Sequence, residues 1–239
     1  MRLWVIARRE VSSYFDLSIA YVVLPAFLVL CSAYLFVLHP FFVEGRATMR
    51  PFFEFAPFVF TLFVPAISMR LLAEERRAGR METLLTWPIA DWELVLGKFI
   101  GAAWLLALAL ALTLSFPLSI AALGPLDWGP VIGGYLGLFV LGCAYLAIGL
   151  LVSALTKSQI VAYIGGFALC FAFYIVGRAQ PAFSSEWASL FELVSFEFRF
   201  ARIARGVLDL RDLVFFGSVV FVTLGLTAEV LSARRWRRR

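Results

Sequence analysis

The 239-residue sequence predicts an all-α integral membrane protein. Six transmembrane helices are expected, with an N-terminal amphipathic interfacial helix, a cytoplasmic helix in the longest inner loop and short outer amphipathic helices before the last span. Three observations carry that class. Hydrophobic residues make up 62% of the chain and charged ones 15%, with mean hydropathy +0.91, outside the balance of a water-soluble domain. Six apolar runs reach about twenty residues, the length a helix rising about 1.5 Å per residue needs to cross about 30 Å of hydrocarbon. Lys and Arg are spread unevenly over the segments between those runs.

Before the first run, MRLWVIARREVSSYFD sets Trp4, Ala7, Val11 and Tyr14 at helical spacing, with Arg8, Arg9 and Ser12 on other faces. Such a helix lies in the membrane interface instead of crossing it. The runs follow from Leu17 to Leu38, Phe55 to Leu72, Phe99 to Leu123, Pro130 to Leu155, Gln159 to Gly177 and Leu213 to Leu231. The first lacks a small-x-small exit and is expected to stay as a span, not to be cleaved as a signal peptide. Pro57 and Pro65 interrupt the second, which requires neighbours that satisfy the carbonyls the prolines free. Small residues recur four apart, at Gly97 and Gly101, Gly133 and Gly137, Gly149 and Ser153, and Ala162 and Gly166, a spacing that lets helices approach closely. No internal repeat or disordered linker divides residues 1–239, which read as a single transmembrane domain without a nucleotide-binding domain.

Orientation follows from the basic residues. With the N-terminus inside, the inner segments hold Arg2, Arg8 and Arg9; Arg70, Arg76, Arg77, Arg80 and Lys98; Lys157; and Arg234, Arg235, Arg237, Arg238 and Arg239. These are fourteen of the 21 cations, so the positive-inside bias places both termini in the cytoplasm; the expected location is the cell's inner (plasma) membrane, crossed several times. The net charge of +5 is thereby a membrane signature, and no nucleic-acid partner is expected.

Several chemistries are excluded by what the spans lack. They hold no Asp or Glu away from their ends, and the sole histidine, His39, lies at the edge of the first, so ion-coupled transport has no titratable group at membrane depth. Ser or Cys without a base there cannot serve a hydrolase. Cys31, Cys143 and Cys170 fall in apolar runs without metal-ligand spacing and read as packing residues. LGKF at Leu96–Phe99 has neither the upstream glycine nor the Ser/Thr of a phosphate-binding loop. No catalytic residue, cofactor or metal is therefore expected on this chain, and its energy source must lie on another.

The inner loop from Arg70 to Lys98 divides by chemistry. Glu74, Glu75, Arg76 and Arg77 extend the second span into water, and Gly79 allows the helix to turn. In RMETLLTWP, Met81, Leu84, Leu85 and Trp87 form an apolar patch beside Glu82, and Pro88 ends the piece. A second helix starts near Asp91, a capping residue, and runs into the third span. Apolar anchors within a charged rim suit a docking surface; a helix lying on lipid would use the same residues.

From Phe63 to Lys98, FVPAISMRLLAEERRAGRMETLLTWPIADWELVLGK resembles the inner loop of ABC-2 type transporter permeases, especially the gliding-motility-type subunits. SFEFRFARIARGVLDLRDLVFF, Ser195–Phe216, resembles the same family's segment before its last span. The chain departs from the pattern at Arg80, where the family commonly has Thr, and at Arg199, where it often has His. The resemblance implies a permease subunit of an exporter of lipid, polymer or another amphipathic substrate, itself not an enzyme. It implies two ABC ATPase subunits carrying ATP and Mg, a second permease copy or homologue, and contact with membrane lipids. It makes the inner loop a coupling helix seated on the ATPase, with Leu84, Leu85 and Trp87 as anchors, Glu74, Glu75 and Glu82 positioning it, and Gly79 and Pro88 as its bounds.

Before the last span, Phe196, Phe200, Ile203 and Val207 share one helical face, with Arg199, Arg202 and Arg205 on the other side. Gly206 relaxes that helix, and Asp209 and Asp212 can cap the next. In the family this region dips into the outer leaflet, which makes the three arginines candidates for an outer gate; a surface helix anchored in lipid fits the same pattern. Two other functions stay open: a membrane anchor or scaffold for an envelope machine without cargo, and a haem-export permease.

Overall fold

The computed structural model describes residues 2–16, 18–38, 47–79, 90–179, 195–207 and 209–236. Helices make up its regular structure, with no strand among the described residues, and six of them are long and apolar enough to cross a membrane. The elements are α1 (Arg2–Asp16), α2 (Ile19–Ala33, continued by a π-helical turn at Tyr34–Leu38), α3 (Arg50–Ser68), α4 (Ala73–Arg77), α5 (Asp91–Thr113), α6 (Ser115–Leu123), α7 (Trp128–Leu155), α8 (Gln159–Ala179), α9 (Phe196–Ala204) and α10 (Leu210–Trp236).

α7 is the axis of the bundle and touches α3, α5, α8, α9 and α10. Its sequence explains why. Glycine at 134, 142 and 149 leaves the backbone bare where a Cβ would strike Phe53, Leu106 or Ser68. The most apolar stretch of α7 is 67% buried and that of α3 61%, against 17% for α8 and α10, so those two and α2 form the flanks. Between α3 and α7 the core is aromatic: Phe52 and Phe53 both pack against the Tyr135 ring.

The small-residue pairs each mark a close approach. Gly97 and Gly101 accept α1, lying against Ile6 and Glu10, while Gly133 and Gly137 accept α9 at Ile203 and Phe200. α1 thus lies along the first turns of α5. Its buried strip holds Ala7 and Tyr14, with Ile6 and Glu10 beside them, while Trp4 points away and is 68% exposed. The expected face of Trp4, Ala7, Val11 and Tyr14 is rotated by one residue at its start, because contact with two glycines of α5 decides which side is covered.

Two spans are broken, each by proline or by a missing turn. The third parts at Leu114 into α5 and α6: Pro117 has no N–H for the Thr113 carbonyl, which instead accepts from the Tyr135 hydroxyl at 2.8 Å. The second stops at Ser68, and four residues of turn separate it from α4.

Candidate functional site

The break between α3 and α4 frees backbone groups, and side chains from two distant elements take them up. Ser153 of α7 accepts from the Leu72 and Ala73 N–H groups at 3.1 and 3.0 Å and donates to the Met69 carbonyl at 2.9 Å. Tyr14 of α1 donates to the Ile67 carbonyl at 3.0 Å. One hydroxyl therefore caps the start of α4 while another closes the end of α3. Burial pushes the Tyr14 phenol well above its ordinary pKa, with Glu10 raising it further and Arg70 lowering it, so the group stays a donor.

α4 returns the contact. Its Arg76 guanidinium donates to the carbonyls of Ala154 and Thr156, at 2.5 and 2.9 Å, at the C-terminal end of α7 where carbonyls lack helical partners. Its Glu75 carboxylate meets Lys98 at 2.8 Å, and Lys98 also meets Glu10 of α1 at 3.0 Å. Lys98 is only 2% exposed, so the ammonium is held in the protein by two carboxylates arriving from different elements. Glu74 pairs with Arg70 one turn back, at 2.6 Å. The short helix leaving the second span is thus fastened to α1, α5 and α7 before Gly79, at φ +69°, turns the chain.

Glu74, Glu75 and Gly79 sit in this clamp, whereas Glu82, Leu84, Leu85, Trp87 and Pro88 lie outside the described residues, as does His39. The chain is described again from Ala90. Asp91 is the first helical residue and not the cap; Glu93 reaches back to accept the Ala90 N–H at 3.3 Å.

At the opposite end, α9 buries Phe196, Phe200 and Ile203 as its periodicity requires, its start capped by Ser195, which accepts from Phe198 N–H at 3.0 Å. Val207 does not join that face: the helix ends at Ala204, Gly206 turns the chain at φ +86°, and Val207 is 60% exposed. Arg199 and Arg202 both bond the fully buried Asp212 of α10, Arg199 at 3.0 Å, and the Arg199 guanidinium lies 4.0 Å from the centre of the Phe215 ring. Asp212 is therefore an ion-pair partner and not a cap, while Asp209 accepts from the Arg211 N–H at 2.9 Å. Arg205 is exposed and its Nε donates to the Ala201 carbonyl. Glu197 faces Arg178 at 3.5 Å; burial raises its pKa from the usual carboxylate range and Arg178 opposes that rise.

Sequence reading did not single out Lys98, Tyr14, Ser153 or Arg76 as one constellation. The available signals were a lone lysine eight residues into an apolar helix and a serine at the end of a small-residue pair. Among the described residues, no three His, Cys, Asp or Glu side chains gather as a metal centre. This arrangement holds α1, α3, α4, α5 and α7 in register.

Comparison with known proteins agrees on the class. The family described as ABC-2 family transporter protein matches residues 40–197. A probable ABC transporter permease protein NosY of Pseudomonas aeruginosa is 31% identical over 119 residues, covering 47% of this chain and 43% of that protein. The chain thus spans less than half the length of that relative.

Proposed function

The chain belongs to the ABC-2 transporter family, and from that premise we propose that it is the membrane-spanning subunit of an ATP-driven exporter, worked by a separate ATPase through the loop between α4 and α5. One observation carries the reading: α4, which leads into that loop, is bonded to α7 through Arg76 and the turn held by Ser153 and to α5 through Glu75 and Lys98, and the same Lys98 holds Glu10 of α1. A displacement delivered to a loop is absorbed unless its root is stiff, and this root is tied to three helices at once.

In this reading Leu84, Leu85 and Trp87 dock on the ATPase, Glu82 orients them, Glu74 and Glu75 hold the root, and Gly79 and Pro88 bound the moving piece. ATP and Mg belong to the partner chain. The positive-inside bias supports cytoplasmic termini, which puts the clamp on the ATPase side. The exposed apolar flanks of α2, α8 and α10 are available to lipid and to a second permease copy or homologue. At the far end, Arg199 and Arg202 are engaged by Asp212, which supports a structural role for them and leaves Arg205 as the gate candidate. The gliding-motility likeness rests on the Phe63–Lys98 motif.

The experiment is reconstitution of the chain with its ATPase. Leu84→Asp or Leu85→Asp is expected to abolish ATPase association and permease-stimulated ATP turnover. Unchanged association and turnover in both variants overturns the coupling assignment.

A further inference from the structure

At the end of the bundle away from the clamp, a cavity of about 510 Å³ opens between α3, α7 and α9. Its size falls in the range of about 300–1,000 Å³ typical of small-molecule sites. Phe53, Val131 and Phe200 give it apolar walls, and Arg50, Glu54, Asp127, Glu197 and Arg205 give it charges of both signs. Most of those charges are already matched. Arg50 pairs with Glu54 at 2.8 Å, and Glu197 pairs with Arg178. Among the described residues this leaves one anion, Asp127, and one cation, Arg205, without a charged partner.

These two are placed together by the fold. Asp127 caps α7, accepting from the Gly129 N–H at 3.1 Å, and Arg205 caps the end of α9. The Gly206 backbone beside Arg205 lies against Gly129 and Pro130, and Gly133 is bare where Ile203 and Gly206 cross it. The α7–α9 crossing therefore fixes a carboxylate and a guanidinium at the mouth of one apolar-walled cavity.

We propose that this cavity binds a zwitterionic amphiphile, with a phosphate-like anion at Arg205, an ammonium at Asp127 and the apolar body against Phe53, Val131 and Phe200. A zwitterionic amphiphile engages both protein charges, whereas a singly charged one engages only one of them, so the site favours the zwitterion. The inference is independent of coupling to an ATPase, because it concerns binding to this chain without nucleotide.

The test is titration of the purified full chain in non-ionic detergent with four probes. These are dihexanoyl phosphatidylethanolamine, dihexanoyl phosphatidylglycerol, hexylamine and free phosphoethanolamine. The phosphatidylethanolamine is expected to bind most tightly. Arg205→Gln and Asp127→Asn should each weaken it about tenfold, one charge-assisted hydrogen bond being worth at least that. Neither change should disturb folding, since Arg205 is exposed and Asn also caps a helix. Asp127→Asn should turn the preference toward the phosphatidylglycerol, and Arg205→Gln toward hexylamine. Equal binding of zwitterionic and anionic lipid by the unmodified chain, or no change in either variant, overturns the proposal. Equal affinity for free phosphoethanolamine overturns the assignment to an amphiphile.

Discussion

Each end of the bundle buries one charge between two of the opposite sign. Near the termini Lys98 stands between Glu10 and Glu75; at the far end Asp212 stands between Arg199 and Arg202. The two triads differ in reach. Lys98 joins α1, α4 and α5, with 88 residues separating it from Glu10, whereas Asp212 joins α9 to α10 across a connection of a few residues. One triad closes distant parts of the chain onto each other, and the other finishes a local corner. A fold that must carry motion from one helix to several others has a use for the first arrangement; a fold that must hold a surface helix in place needs only the second.

The largest expected effect is at Lys98. Lys98→Met leaves two carboxylates facing each other without their cation, and removal of one partner of a buried ion pair costs about 3–5 kcal/mol. The measurement is thermal unfolding in detergent, with tryptic cleavage after Arg8 and Arg9 reporting on α1. Release of α1 should accelerate that cleavage before the bundle melts. Adding Glu10→Gln and Glu75→Gln should recover most of the loss, because no charge then remains unpaired. Continued instability of the triple variant would show that Lys98 acts by packing its stem and not by its charge.

Asp212→Asn should cost less, about 3 kcal/mol, at the low end of the same range. Arg202 is 34% exposed and can turn to water, and Arg199 keeps the Phe215 ring. Its consequence should stay local: α9 loosens while cleavage after Arg8 and Arg9 is unchanged. Equal exposure of α1 in this variant would erase the distinction between the two triads.

Ser153→Ala ranks next. It leaves two buried N–H groups and a carbonyl at the α3–α4 break without their partner, for about 2 kcal/mol. In the reconstituted complex it should also lower permease-stimulated ATP turnover, since the root of the loop is no longer capped. Turnover at the unmodified level would place the stiffness elsewhere, in Arg76 or the Lys98 triad.

The spans were legible in the sequence because hydropathy is a local property: the run from Gln159 to Gly177 and the helix Gln159–Ala179 differ at one end by two residues. Gly97 and Gly101 could be read as a contact face, but not which helix would fill it. The clamp was hidden for a related reason. Glu10, Glu75 and Lys98 each look like an ordinary polar residue near a membrane edge, and only the folded path brings them within 3.0 Å. Asp212 misled for the opposite reason: its position at a helix start is a sound capping signal, yet two arginines thirteen and ten residues earlier in the chain outcompete the backbone amides for its carboxylate. Pro117 was visible, but the break it makes at Leu114 depends on Tyr135, which lies on another helix.

The smallest effect sharpens the comparison most. Tyr14→Phe removes one hydrogen bond to the Ile67 carbonyl and keeps the ring packed, for about 1 kcal/mol. Tyr14 and Glu10 lie one turn apart on α1, so if the Lys98 triad and the Tyr14 bond fasten the same helix, the two losses share a consequence. In a double-mutant cycle, Lys98→Met with Tyr14→Phe should cost less than the sum of the single changes, by about 0.5 kcal/mol or more, because α1 can be released only once. The same cycle between Tyr14→Phe and Asp212→Asn should be additive within that margin, the two sites lying at opposite ends of the bundle. Coupling of Tyr14 to Asp212 as strong as to Lys98 would mean that the whole bundle loosens as one unit, and α1 would lose its place as a separately fastened brace.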